Sequence, residues 1–287
     1  MSQEAGITVT AGTLFVCGSP IGNLEDASQR LLRVLSEADL IAAEDTRHTR
    51  KLLSHFGISS PLTSFHAHSK EGKVGALIAE LRQGRSVALV SDAGMPGISD
   101  PGGPLIAEVL AAGLPVEVIP GPSALLTALL LSGLRSDRFV FEGFLPRKGR
   151  RKALELWRAE KRTIVFYESP HRVLSTLGDI LEVLGDRRIA LCRELTKKFE
   201  ETFRGTVSGA VAHFQVRAPK GEFTLVLEGA MEKADEGAGI PGEPQLRSAF
   251  EELLANGVDR RTAVKELAVR YGSRRREIYN ALFGERP

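Results

Sequence analysis

Five short apolar runs recur through the first 120 residues, and each pair is separated by a segment with helical periodicity. The runs are LFVCG (14–18), LIAAED (40–45), LTSFH (62–66), VALVSD (87–92) and VEVIP (116–120), each bounded by Gly, Pro or a polar residue. Length and boundaries of this kind read as buried strands. Between them, segments 26–37, 46–56, 69–83 and 101–113 place apolar residues three and four apart. Parallel neighbours need crossovers, so the alternation predicts a largely parallel sheet with helices on both faces. Ligands in such sheets gather at the carboxyl ends of the strands, and the turns after strands should carry the chemistry.

The second half has a different rhythm. A helix over 123–134 leads into FVFEGF (139–144), TIVFYES (163–169), IALCREL (189–195), ETFRGTV (201–207) and FTLVLEG (223–229). Fewer helices separate these strands, which predicts a mixed sheet in an α+β domain. Residues 230–243, with Gly, Glu, Ala and Pro, read as a linker. Three short amphipathic helices follow, broken at Asn256-Gly257 and Gly272. The expected organisation is an α/β two-domain chain with an N-terminal domain over 1–122 and a second over 123–232. A small helical, helix-turn-helix-like tail over 244–287 completes it.

At 43% hydrophobic and 26% charged, the chain has the composition of a globular protein with a real core. No apolar run approaches the ~20 residues of a membrane span, and MSQEAGITVT lacks the basic and apolar regions of a secretory signal. Cys17 and Cys192, the two cysteines, both sit in strand-like runs and fit buried thiols in a reducing compartment. A cytoplasmic protein is expected. A net charge of +2 does not announce a nucleic-acid binder. Local clusters say more: Arg147, Lys148, Arg150, Arg151 and Lys152 crowd one loop, and Arg274, Arg275 and Arg276 run together in the tail. Such clusters contact phosphates or form solvated faces, and charge alone does not choose between them.

The turn after the first strand is Gly18-Ser19-Pro20-Ile21-Gly22-Asn23. Its glycines permit close backbone approach, and Glu44 and Asp45 close the next strand about where a dinucleotide fold keeps its ribose-binding acid. The glycine spacing and the inserted proline argue against a nicotinamide cofactor; a tight turn with no ligand is the structural alternative. The strongest segment is Ser91-Asp92-Ala93-Gly94-Met95-Pro96-Gly97-Ile98-Ser99-Asp100-Pro101-Gly102-Gly103. A mere connector needs no such density of conformationally special residues. Backbone groups here can wrap a small polar ligand, with Asp92 and Asp100 as partners for a sulfonium or amino group. Two carboxylates and no lysine oppose a phosphate. Pro120-Gly121-Pro122-Ser123-Ala124 also joins a strand to a helix, and Ser123 is a candidate N-cap. Tyr167-Glu168-Ser169-Pro170-His171-Arg172 ends a strand and is chemically rich for a turn, although Ser169-Pro170 also reads as a helix start.

In order along the chain, GSPIGNLEDAS, AAEDTRHTRKLL, SFHAHSKE, SDAGMPGISDPG, PGPSALLTAL, FEGFLPRK, FYESPHR, LCRELTKKFEE and GEFTLVLEG together resemble the tetrapyrrole methylase family of S-adenosylmethionine methyltransferases. The likeness runs from about Thr13 to Gly229. Porphyrin-methylating members carry Gly-Pro-Gly-Asp after the first strand and Gly-Asp-Pro after the fourth. Here those turns are Gly-Ser-Pro-Ile-Gly-Asn and Ser-Asp-Ala-Gly, which points to the family's ribosomal RNA branch. The resemblance implies a homodimer with S-adenosyl-L-methionine in the cleft between domains. It implies 2′-O-methylation of a cytidine ribose in 16S rRNA, the decoding-site cytidine 1402, with the RNA carried in the small ribosomal subunit. By motif position, Pro20, Asp92, Ala93, Gly94, Ile98 and Ser99 would line the donor, with Ser123, Ala124, Tyr167, Glu222, Phe223 and Thr224 around the remainder.

Transfer to a ribose hydroxyl benefits from a base or a strong hydrogen-bond acceptor. Glu44, Asp45, His66, His68 and Glu168 are the candidates at strand ends, with Asp45 or His66 favoured; Glu44 and Asp45 could instead pair with Arg47 or Arg50. Sulfonium chemistry needs no metal, and no cluster has convincing ligand spacing. Phosphate contacts are expected from the 147–152 loop, from Arg193, Lys197 and Lys198, and from the tail, where Asp259 and Ser273 could cap two helices. Two other readings stay open: a tetrapyrrole C-methyltransferase, which gives the basic loop and tail no purpose, and a non-catalytic RNA-binding assembly factor, which leaves 91–103 unexplained.

Overall fold

The computed structural model describes residues 9–66, 71–230, 241–271, 273 and 275–284; His68 and Arg274 lie outside the described residues. The first sheet contains β1 (Leu14–Cys17), β2 (Leu40–Ala43), β3 (Leu62–Ser64), β4 (Val87–Val90) and β5 (Val116–Ile119). Its order is β3-β2-β4-β1-β5, and every pairing is parallel. Four helices form the crossovers: α1 (Gln29–Glu37), α2 (Thr46–His55), α3 (Glu71–Arg82) and α4 (Gly103–Ala111).

Period-two alternation distributes these strands between two cores. Phe15 and Cys17 of β1, with Ala88 and Val90 of β4, pack on Leu31, Val34 and Leu35 of α1 and on Leu52 and Leu53 of α2. Leu14, Val16, Val87 and Leu89 face the other way, toward Leu77 and Leu81 of α3 and Leu105 and Val109 of α4. Ser28 and Asp45 begin α1 and α2 by accepting backbone N–H bonds.

The second sheet contains β6 (Phe139–Phe144), β7 (Thr163–Glu168), β8 (Arg188–Arg193), β9 (Glu201–Thr206) and β10 (Phe223–Leu227), in the order β6-β7-β10-β8-β9. β6 runs parallel to β7 and the other pairings are antiparallel, which is the mixed sheet that the closer strand spacing predicts. α5 (Ala124–Ser132) covers one face. α6 (Arg150–Glu155), α7 (Val173–Leu184) and α8 (Val207–Val216) belong to the other side. Alternation is again visible: Ile164, Phe166, Leu225 and Leu191 join the α7–α8 core, whereas Val165, Val226 and Cys192 meet Ala128 and Leu129 of α5. Ile21 and Ala93, from turns of the first sheet, complete the α5 cluster and tie the two sheets together.

Backbone contacts divide the chain into two compact units, Met1–Arg158 with Arg162–Glu228, and Ala159–Lys161 with Gly229–Pro287. Both sheets lie in the first. The second holds α9 (Glu243–Ala255), α10 (Arg260–Arg270) and α11 (Arg275–Phe283), closed around Leu246, Phe250, Val264, Leu267, Ile278 and Leu282. Asp259 caps α10, accepting from Arg261 N at 3.0 Å and Thr262 N at 3.2 Å. Ser273 turns its hydroxyl back to the Tyr271 carbonyl at 3.2 Å. Both cysteines are free and buried, and burial pushes both thiols up. Among the described residues no helix is long and apolar enough to cross a membrane.

Candidate active site

β1 lies between β4 and β5, while the chain leaves β1 toward β2 and leaves β4 toward β5. The strand order therefore reverses at the carboxyl ends of β1 and β4, where open α/β sheets bind ligands. Three turns meet there. The Gly18 N–H donates to the Ile119 carbonyl at 2.9 Å, and Ser19 and Gly94 exchange backbone hydrogen bonds at 2.9 and 3.2 Å. The Ser19 hydroxyl donates to the Ser91 carbonyl at 3.2 Å. Gly18 and Gly121 face each other with no room for a side chain: a Cβ on Gly121 would sit 2.5 Å from the Gly18 oxygen. Pro20 is buried in this knot.

Backbone strain concentrates around the same cleft. Among the described residues three non-glycines have positive φ: Ser99 at 60°, Glu194 at 50° and Thr196 at 66°. Such conformations persist only where surrounding contacts enforce them, and they cluster at functional sites. Here the contacts are visible. A Cβ on Gly143, in β6, would approach the Ser99 hydroxyl to 2.8 Å. One on Gly22 would strike Lys197 and Thr196, so the β1 turn is pressed against the loop after β8. Ile98, beside Ser99, keeps about half its surface exposed, at 48%.

Carboxylates gather on the β2–β4 side. Glu44 Oε2 accepts the Asp92 N–H at 3.3 Å, and Asp92 Oδ1 accepts the Asp45 N–H at 3.0 Å. Burial first, then the charges of Asp92 and Asp45, push the Glu44 carboxyl up, against the Asp92 N–H and His66. Asp100 is pushed up to about 6 by burial, with Glu44, Asp92 and Glu222 adding to it and a Ser91 hydrogen bond opposing. Asp45 differs. Its carboxylate caps α2 and grips the Arg47 guanidinium at 2.7 and 3.1 Å, which holds its proton affinity well below the usual range. His66 is exposed just past β3, within electrostatic reach of Glu44.

Across the cleft, Ser123 caps α5, and Ala124 is half-buried beside it. Tyr167 packs edge-on against Phe141 at 5.0 Å, pairs with Thr224 in register, and has its phenol pushed up by burial and then by Asp100. Phe223 and Thr224 are buried in β10, whereas Glu222 faces outward and binds Lys197 at 3.0 Å. Glu168 serves the turn: its buried carboxylate accepts from Ser169 N at 2.8 Å and Thr176 Oγ1 at 2.7 Å.

Several basic residues have structural occupations that sequence could not reveal. Arg150 bonds Asp179 at 2.6 Å and Thr176 at 3.0 Å, and Arg151 binds Asp179 and Glu182. Arg193 binds Glu201 at 2.6 Å, and Lys197 binds Glu194 and Glu222. Arg147, Lys148, Lys152 and Lys198 are exposed. Sequence reasoning also passed over the Thr196 hydroxyl, buried at the loop that Gly22 touches and without a hydrogen-bond partner among the described residues.

A parallel sheet joined to a mixed sheet, with glycine-rich turns and carboxylates at the strand ends, defines a two-sheet α/β protein built to bind a small ligand at its switch point. The family model for tetrapyrrole (corrin/porphyrin) methylases matches residues 13–210, and the chain belongs to that family. Its members are S-adenosylmethionine-dependent methyltransferases. The chain is 48% identical over 276 residues to ribosomal RNA small subunit methyltransferase I of Halalkalibacterium halodurans, covering 94% of each. It is 51% identical over 219 residues to the Thermotoga maritima protein of the same name, covering 76% of this chain and 99% of that one. Uroporphyrin-III-C-methyltransferase from Thermus thermophilus shares the fold, with a TM-score of 0.55 at 23% identity over 76% of this chain and 94% of that one. The donor is a sulfonium cation, and the cleft fits it. Glu44 and Asp92 add to the upward push on Asp100, and a cation beside Asp100 would relieve that repulsion.

Proposed function

We propose that this chain transfers the methyl group of S-adenosylmethionine to the 2′-hydroxyl of a cytidine ribose in 16S rRNA, at the decoding-site cytidine 1402. The reading rests on the 48% identity, over 94% of both chains, to a ribosomal RNA small subunit methyltransferase I. When bound, the donor supplies an electrophilic methyl carbon. The turns at Pro20, Asp92–Gly94, Ile98–Ser99 and Ser123–Ala124, with Tyr167 and Glu222–Thr224, hold and orient it. Holding reactants in line supplies up to ~7–11 kcal/mol of such a barrier. The fixed, strained backbone of Ser99, Glu194 and Thr196 suits that positioning role.

Among the base candidates Glu44 is a half-buried carboxyl whose proton affinity burial raises, which makes it a better acceptor for the ribose proton than an ordinary carboxylate. Asp45, committed to Arg47 and the α2 cap, orients the turn instead. His66 stands close enough to Glu44 to tune its charge. For the RNA, Arg147, Lys148 and Lys152 offer phosphate contacts, with Arg150 and Arg151 buttressing their loop from α7. A cytoplasmic location fits this reading: the relatives are bacterial, and two buried free thiols suit a reducing environment.

The test is transfer of radiolabelled methyl from S-adenosylmethionine to purified small ribosomal subunits, followed by nucleoside analysis. Label in 2′-O-methylcytidine is the expected result; label in another nucleoside, or none in RNA, would sink the assignment. We also propose a homodimer. β5 exposes Val118 at 51%, and α5 exposes Leu126 and Leu130, one turn apart, at 49% and 75%. Burying them against a second copy removes apolar surface from water. Leu130→Asp is expected to shift the protein from dimer to monomer in sedimentation; an unchanged sedimentation profile, or a monomeric parent protein, would count against it.

A further inference from the structure

We infer that the tail carries its own docking site for single-stranded RNA, a cavity of about 470 Å³ between α10 and α11. The inference rests on the rRNA reading above for the identity of the RNA. Arg260 and Arg261 open α10, Arg275 and Arg276 open α11, and all four line this cavity with Tyr279 and Phe283 over Val264. Among the described residues no carboxylate lines the cavity. Two acids adjoin these arginines in sequence: Asp259 spends its oxygens on Arg261 N, Thr262 N and the Thr262 hydroxyl, and Glu277, in the first turn of α11, is not among the lining groups. Among the described residues none of the four arginines is ion-paired, unlike Arg150, Arg151, Arg193 and Arg247, whose partners are 3.1 Å away or closer.

Helix N-termini carry partial positive charge and favour acids, and besides Asp259 and Glu277 these two starts present arginine pairs to one cavity. A polyanion with several phosphates relieves both the mutual repulsion and the conflict with the helix dipoles. The aromatic wall separates RNA from an isolated anion. Tyr279 and Phe283 are 37% and 46% exposed, their rings lie 5.0 Å apart, and Phe250 braces Phe283 at 5.4 Å. An exposed ring held firmly from behind is a stacking platform, and guanidinium groups beside it track the backbone. Stacking needs an unpaired base, because an A-form duplex hides base faces and closes its major groove to side chains. The volume suits a nucleotide with its flanking phosphate.

The full-length protein is titrated into a short fluorescein-labelled single-stranded RNA over a range of KCl concentrations. In parallel, methyl transfer to small ribosomal subunits is followed for kcat and KM. Replacing Arg260, Arg261, Arg275 and Arg276 together by Gln is expected to flatten the slope of log K against log[salt] by about 3, from ~0.7 per phosphate contact. KM for subunits should rise about 10-fold or more with kcat and donor affinity unchanged. Tyr279→Leu should weaken the oligonucleotide about 5-fold, the low end of one base-on-ring stack, with the salt slope unchanged. Parental slope and affinity in the arginine variant, with parental far-UV circular dichroism, would overturn the docking site; so would full affinity in Tyr279→Leu for its stacking half. Failure of the rRNA reading looks different: no methyl enters RNA even with the parent protein, while arginine-dependent oligonucleotide binding persists.

Discussion

A Gly121→Ala protein is expected to lose S-adenosylmethionine binding by about 100-fold and to melt roughly 5–10 °C below the parent. The added Cβ would lie 2.5 Å from the Gly18 oxygen and 2.6 Å from its carbon, backbone atoms that cannot swing aside as a side chain can. Relief requires the turn after β5 to move away from the turn after β1, and overpacking of this kind costs about 1–3 kcal/mol. That movement also pulls on the Gly18–Ile119 hydrogen bond and on the Ser19–Gly94 pair, which together fix the 91–102 loop. Binding should suffer more than stability, because a displacement near 1 Å is enough to misplace a small ligand. Gly113→Ala is the control. Gly113 has φ +71° but nothing within 4 Å of a built Cβ, so it suffers only the left-handed backbone penalty of about 1–2 kcal/mol. Calorimetric titration should find its donor affinity unchanged. Equal donor affinities for Gly121→Ala and the parent would mean that the Gly18–Gly121 contact does not shape the binding site.

That contact illustrates what could and could not be read from the sequence. The strands were legible because each buried run is short, apolar and closed by residues that end strands. The mixed second sheet was legible from strand spacing, although its antiparallel order was not. The glycines at 18 and 121 were suspicious individually, but their mutual approach joins residues a hundred positions apart and only the sheet order β4-β1-β5 brings them together. The same applies to charge. A run such as Arg147 to Lys152 looks uniform in sequence, yet Arg150 and Arg151 answer acids on α7 while Arg147 and Lys148 face solvent. Asp45 and Glu44 are neighbours that the fold separates chemically. One becomes a helix cap with a depressed proton affinity, and the other a half-buried carboxyl with a raised one. Positive φ at Ser99, Glu194 and Thr196 has no sequence signature, since none is Gly, Asn or Asp.

The carboxylate cluster leads to the second large effect, which is pH-dependent. Asp100 titrates at about 6 in the folded protein against an ordinary 3.8, so the folded state holds a proton that the unfolded chain releases. Stability from this group is therefore greatest below about pH 4 and is lost as pH rises through about 6. Asp100→Asn, which cannot ionise, should melt above the parent at pH 8, and the gain should vanish by about pH 4. Donor binding follows the opposite sign. A sulfonium favours ionised Asp100, so a proton must leave before it binds, and affinity should fall about 10-fold for each unit of pH below 6. S-adenosylhomocysteine carries the same amino and carboxylate groups but a neutral sulfur, and its affinity should fall much less over that range. The contrast isolates the charge on sulfur from everything else the two ligands share. Titration calorimetry from pH 5 to 8 with both ligands, on parent and Asp100→Asn proteins, reads it directly. Parallel pH profiles for the two ligands would place the carboxylates away from the sulfonium; divergent profiles that become flat in Asp100→Asn would make the folding cost of this cluster the counterpart of its affinity for the donor.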